Sequence, residues 1–268
     1  MTTGVADFFG GLASRRSSAV SVVLLAQLVA GSGVLVIAPL VSEFPGASDF
    51  AWGAVAGVAG VAGLVIFYHA LATTRIGVSA PVTAVFGTGT PVLFGILDGE
   101  RPASLAWFGV ILALIAIVLI AFPTGETTSE LSGTTRAVAY GVVSGVGFGI
   151  FAVCITRTSD GSGIWPLVGA RGTSVAMLIL VALAWRRPMI PKEARGMAVG
   201  AGVGDMVSNA LFLFAVRQGY LSLISVIMAM YPVATVGLAR FVLQERIGRV
   251  QAAGFGVGAV AMTLVVLG

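Results

Sequence analysis

Asp205 and Asn209 stand four residues apart in GVGDMVSNALFLF, a spacing that puts a carboxyl and an amide on one face of a helix. Arg171 brings a guanidinium in VGARGTSV, and Asp7 brings a second carboxyl in GVADFFGG. All of them sit in apolar surroundings. A charge at the centre of a bilayer costs about 2.5 to 3.5 kcal/mol on insertion scales, so each is a candidate for binding a solute or a proton. Two chemistries fit Asp205. In one it is a proton-exchanging or substrate-coordinating carboxylate, supported by Asn209 and approached by Arg171. In the other it forms a buried ion pair with Arg171 that orients two helices without touching a solute. Tyr231, beside Pro232, offers a ring and a hydroxyl to the same region. His69 lies near a helix end beside Tyr68, where amphipathic rings settle at the interface.

The elements that position these groups follow from composition. The chain has 268 residues, 57% of them hydrophobic and 10% charged, with a mean hydropathy of +1.04. An ordinary soluble domain carries roughly 25% charged residues. A hydrocarbon core about 30 Å thick needs roughly 20 apolar residues per helix. Breaks at charges, Pro and Gly clusters predict spanning helices at about 18–41, 50–72, 76–97, 103–122, 136–156, 164–185, 196–217, 219–242 and 249–267. This predicts an all-α, multi-pass integral membrane protein, with the lipid bilayer as its solvent and the cell membrane as its place. Little chain remains for a soluble catalytic or nucleotide-binding domain. The net charge of +4 comes largely from short connections such as Arg186-Arg187 to Arg195, which read as a cytoplasmic loop rather than a nucleic-acid surface. One cysteine, Cys154, and one histidine give neither a disulfide framework nor a metal site, and no motif calls for a cofactor.

A tenth apolar segment, at 4–14, is too short to cross alone, and its meaning comes from an internal repeat. At an offset of 145, Gly99-Glu100-Arg101 falls on Gln244-Glu245-Arg246, Gly109 on Gly254 and Phe67 on Phe212. At an offset of 141, Gly4-Val5 falls on Gly145-Val146 and Arg16 on Arg157. At an offset of 144, Gln27 falls near Arg171, so the second helix of each half offers a polar group to one cavity. The chain reads as five plus five helices: a first repeat over 1–122 with a shortened first helix, a connection over 123–135, and a second repeat over 136–268. Five is odd, so the two copies enter the membrane in opposite senses, the inverted repeat of many secondary transporters.

Three segments carry a resemblance: GVADFFGGLASRR from Gly4 to Arg16, GILDGERP from Gly95 to Pro102, and MYPVATVGLARFVLQERI from Met230 to Ile247. In these the chain resembles the ten-helix, EamA-type branch of the drug/metabolite transporter superfamily over essentially its whole length. Gln244 stands where the second signature usually has glycine. The resemblance implies alternating-access transport of small metabolites or drugs, often export, without ATP. It also implies that both chain ends are cytoplasmic, whereas the arginines and lysines cluster after the odd-numbered helices and imply the reverse by the positive-inside rule.

Glu100 and Glu245 carry the signature at helix starts. There a carboxylate stabilises the helix dipole and pairs with Arg101 or Arg246, a structural or gating role. Pro81, Pro91 and Pro232 interrupt the fourth and ninth helices and free carbonyls to line a cavity, or simply kink them. Glycines recur every fourth residue at Gly53 and Gly57, at Gly141, Gly145 and Gly149, at Gly196, Gly200 and Gly204, and at Gly254 and Gly258. Such stripes let neighbouring backbones approach closely and leave the oligomeric state open. The reading is a non-enzymatic secondary carrier of a small solute, with proton movement as the coupling to test. A passive facilitator is the first rival. An intramembrane enzyme is the second, against which stands the lack of paired catalytic carboxylates on adjacent turns.

Overall fold

In lipid every backbone N–H and C=O must be satisfied within its own segment or by a closed sheet, so apolar runs of this length fold as helices. The computed structural model describes residues 2–74, 76–120, 131–231, 234, 238, 242 and 248–267. Among them are ten α-helices and no strand: α1 (Thr2–Ser14), α2 (Ala19–Val41), α3 (Ala47–Thr73), α4 (Ile76–Leu97), α5 (Ser104–Ile120), α6 (Leu131–Thr156), α7 (Trp165–Ala184), α8 (Arg195–Val216), α9 (Leu221–Met228) and α10 (Arg249–Leu267). Six of them, α2, α3, α4, α6, α7 and α8, contain segments long and apolar enough to cross a membrane, and α5 and α10 are shorter apolar helices. The 13 residues of α1 span about 20 Å at 1.5 Å per residue, short of a full crossing. The sixth helix begins at Leu131, within the stretch read as a connection. Large apolar side chains such as Phe108, Ile111, Leu180 and Leu211 stand exposed on the outside, as a lipid-facing surface requires.

The helix packing repeats the sequence repeat. If α1–α5 correspond to α6–α10, the pairing of α1 with α8 is the image of the pairing of α6 with α3, and α2 with α8 is the image of α7 with α3. Helices α2 and α7 pack on each other, as do α5 and α10, which places these two pairs on the pseudo-two-fold axis. The match extends to single residues. A β-carbon on Gly57 of α3 would stand less than 3.0 Å from the carbonyl oxygen of Ala170 on α7, and one on Gly202 of α8 would stand 2.5 Å from that of Ala26 on α2. Likewise Gly147 on α6 abuts the Ala59 carbonyl of α3, while Gly204 on α8 abuts Ala6 of α1. Gly141, Gly145 and Gly149 press α6 against α4, as their stripe predicts. On α8 the expectation shifts: Gly196 meets nothing within 4 Å, Gly200 only the edge of Phe9, and the close contacts fall to Gly202 and Gly204.

One end of the bundle is clasped by polar links between the repeats. The buried Asp49, in the first turn of α3, accepts the backbone N–H of Ser159 at 2.7 Å and its hydroxyl at 2.8 Å. Trp165 Nε1 donates to the carbonyl of Ser42 at 3.2 Å. Arg157 pairs with Asp98 at 3.2 Å and lies over the Phe94 ring, 4.5 Å from its centre. At the opposite end the hydroxyl of Ser21 donates to the carbonyl of Pro188.

Candidate functional site

A cavity of about 150 Å³ lies between the repeats, lined by residues of α1, α2, α3, α4 and α6 to α9 and by Tyr231 just beyond α9. Its floor is the residue set singled out from sequence. On α8, Asn209 lies one turn after Asp205, and its amide donates to Asp205 Oδ1 at 2.7 Å and to the Asp205 carbonyl at 2.9 Å. From α7 the Arg171 guanidinium reaches Asp205, with Nη2 2.8 Å from Oδ2. That approach lacks the alignment of a hydrogen bond, and Arg171 Nε has no acceptor among the described residues, so the pair is held chiefly by charge. The aligned bond of Arg171 runs from Nη1 to Gln27 Oε1 at 2.7 Å, between α7 and α2. Both partners are almost wholly buried, at 6% and 2% exposure. Asp205, Asn209, Arg171 and Gln27 thus form one chain of contacts on the cavity wall. It contains the ion pair that the sequence offered as one of two readings of Asp205.

Asp7 is different. It projects from α1 into the same cavity and is 6% exposed. Its neighbour Asp205 repels it, and among the described residues no group donates a hydrogen bond to it or pairs with it. Among the described residues, the carboxyl and guanidinium groups lining the cavity are those of Asp7, Asp205 and Arg171. With Arg171 paired with Asp205, no second cationic side chain among the described residues lining the cavity is left to pair with Asp7.

Tyr231 closes another wall. Its hydroxyl donates to the Ala80 carbonyl at 3.1 Å, and its ring meets Phe67 edge-on at 6.1 Å. Ala80 precedes Pro81, and α4 runs as one helix through Pro81 and Pro91, so neither proline ends it. Pro232 lies outside the described residues, as do Glu245 and Arg246. Glu100 does not cap the helix that follows it. Its carboxylate instead accepts the backbone N–H groups of Leu221 at 2.7 Å and Ser222 at 3.1 Å, at the start of α9. The Arg101 side chain makes no ion pair with Glu100 and donates to its carbonyl at 3.4 Å. His69 is exposed, and its ring lies against Tyr140, 5.5 Å away.

Sequence reasoning missed the hydroxyls. Thr83, Thr88, Ser174, Ser208 and Ser225 line the cavity, and the first two donate back to carbonyls one turn earlier, Ser79 and Ala84, at 2.8 and 2.7 Å. In a membrane helix that back-bond makes Ser and Thr unremarkable on any face, so nothing in the spacing marked them. With Phe148, Phe151 and Phe212 they give a wall that mixes aromatic surface with polar points, suited to a small organic solute.

Two interleaved repeats of membrane helices enclose a central cavity, the architecture of the inverted-repeat class of transporters. Residues 135–267 match the EamA-like transporter family, and the chain is a member of that family, within the drug/metabolite transporter superfamily. The fold is shared with 25 solved chains. One of them, a crystal structure 16% identical in sequence, superimposes over 99% of this chain and 96% of its own with a TM-score of 0.71. No curated protein matches the chain.

Proposed function

We propose that the protein is a secondary active carrier that exports a small metabolite or drug across the cell membrane by alternating access, driven by proton movement through the cavity. The observation that carries the coupling is Asp7, a buried carboxyl opening on the cavity without a partner among the described residues. A carboxylate in that position needs a positive charge, and a proton and a solute compete to provide it. Arg171, Gln27 and Asn209 hold Asp205 in place beside it. Tyr231 and the hydroxyls on α4 and α9 offer the polar points that orient a solute. Export is the direction the family resemblance suggests. Purified protein in vesicles loaded with a pH dye, challenged with pools of amino acids, sugars, nucleosides and organic cations, tests the reading. Solute-dependent proton movement supports it.

The Arg171–Asp205 contact favours a second reading for that pair alone: an ion pair that orients α7 and α8 while solute moves passively. Solute flux without proton movement, unchanged in Asp205→Asn, is its signature.

A further inference from the structure

The carboxylate of Glu100 belongs to the first repeat and ends on the second. Its seat is built locally. Helix α4 stops in a Schellman turn, in which Gly99 takes a φ of +94° and the Glu100 N–H returns to the Gly95 carbonyl at 2.9 Å. The turn leaves the Glu100 side chain folded over Gly95, where a β-carbon would collide with the carboxylate. From there the two carboxylate oxygens take one N–H each from Leu221 and Ser222, two of the orphan donors of the α9 N-terminus. Tyr220, the residue before α9, supplies no side-chain cap of its own. Ser225, Met228, Ala229 and Tyr231 then follow along the cavity wall.

We propose that Glu100 is a positioning residue for the cavity: by holding the start of α9 it sets where Ser225 and Tyr231 stand. Three things support this beyond an ordinary helix cap. The acid comes from the opposite repeat, so relative motion of the repeats must stretch or break the cap. The cap lies at the clasped end of the bundle, beside the Asp98–Arg157 pair. And α9 packs mainly on α4, the helix that ends at the Glu100 turn, so the two walls of the cavity are joined there by one side chain. The role is independent of which ion or solute the carrier uses.

Hydrogen exchange on the full chain in lipid nanodiscs tests it, with the segments 221–231 and 165–184 followed separately. Charge-assisted hydrogen bonds are strong enough that losing both should speed opening of α9 by about tenfold or more. In Glu100→Ala, exchange over 221–231 is expected to rise by that factor while 165–184 stays as in wild type. Glu100→Gln, which keeps one acceptor oxygen, gives an intermediate rise. Ser225→Cys, placed in a Cys154→Ala background, is expected to react faster with N-ethylmaleimide when Glu100→Ala is added. Should Glu100→Ala fail to fold, Gly95→Ala displaces the carboxylate without removing it and is expected to give the same local pattern. Unchanged exchange over 221–231, or a rise shared equally by 165–184, overturns the proposal.

Discussion

Arg171 Nη1 and Gln27 Oε1 lie 2.7 Å apart although 144 positions separate them in the chain, and each is the repeat counterpart of the other. A residue on a two-fold axis meets its own image. Because α2 and α7 pack along that axis, one position in the ancestral repeat now supplies both donor and acceptor. The duplication thereby gives Asp205 a guanidinium that is held in place from the other repeat.

Removing that guanidinium leaves Asp205 in the wall with no cation. Arg171→Leu is expected to cost about 3 to 5 kcal/mol of stability, the range for breaking a buried pair from one side. The double variant Arg171→Leu with Asp205→Asn removes both charges and should regain most of the loss. Thermal unfolding in detergent checks this, and a double variant as unstable as the single one contradicts it.

The glycine contacts predict paired effects across the repeats. Gly57→Ala and Gly202→Ala each push a β-carbon onto a backbone carbonyl that has no freedom to move aside, so each is expected to destabilise by about 1 to 3 kcal/mol. Gly172, on α7, faces open space, and Gly172→Ala should be neutral or stabilising by up to about 1 kcal/mol. The same unfolding assay ranks the three.

The clasped end separates strong from weak polar links. Asp49 is 8% exposed and takes two hydrogen bonds from Ser159, so Asp49→Asn should cost about 1 to 3 kcal/mol. The Asp98–Arg157 pair is open to solvent on both sides, and Asp98→Asn should cost less than about 1 kcal/mol. Equal losses in the two variants contradict this ordering.

Much of this was legible in the sequence. The apolar runs placed the second helix at 18–41 and the eighth at 196–217, against Ala19–Val41 and Arg195–Val216, because in a bilayer length and polarity nearly determine a helix. The repeat identified α1 from a segment too short to be seen alone, and it brought Gln27 to Arg171. What stayed hidden depends on how helices face one another. Glu100 looked like a cap for the helix next in sequence, and only the fold shows that the nearest unsatisfied N–H groups belong to α9. The sequence offered Arg171 and Asn209 to Asp205 and named no partner for Asp7. Which of the two acids Arg171 reaches is set by how α7 faces α8 and α1: it pairs with Asp205, and among the described residues no cation pairs with Asp7.

The most direct measurement is proton movement in sealed vesicles for wild type and Asp7→Asn, at matched amounts of folded protein, with whichever solute pool the wild type moves. If Asp7 is the coupling carboxyl, wild type moves protons with solute and Asp7→Asn does not, while any remaining solute flux no longer responds to a pH gradient. Solute-driven proton movement that persists at the wild-type rate in Asp7→Asn contradicts the assignment.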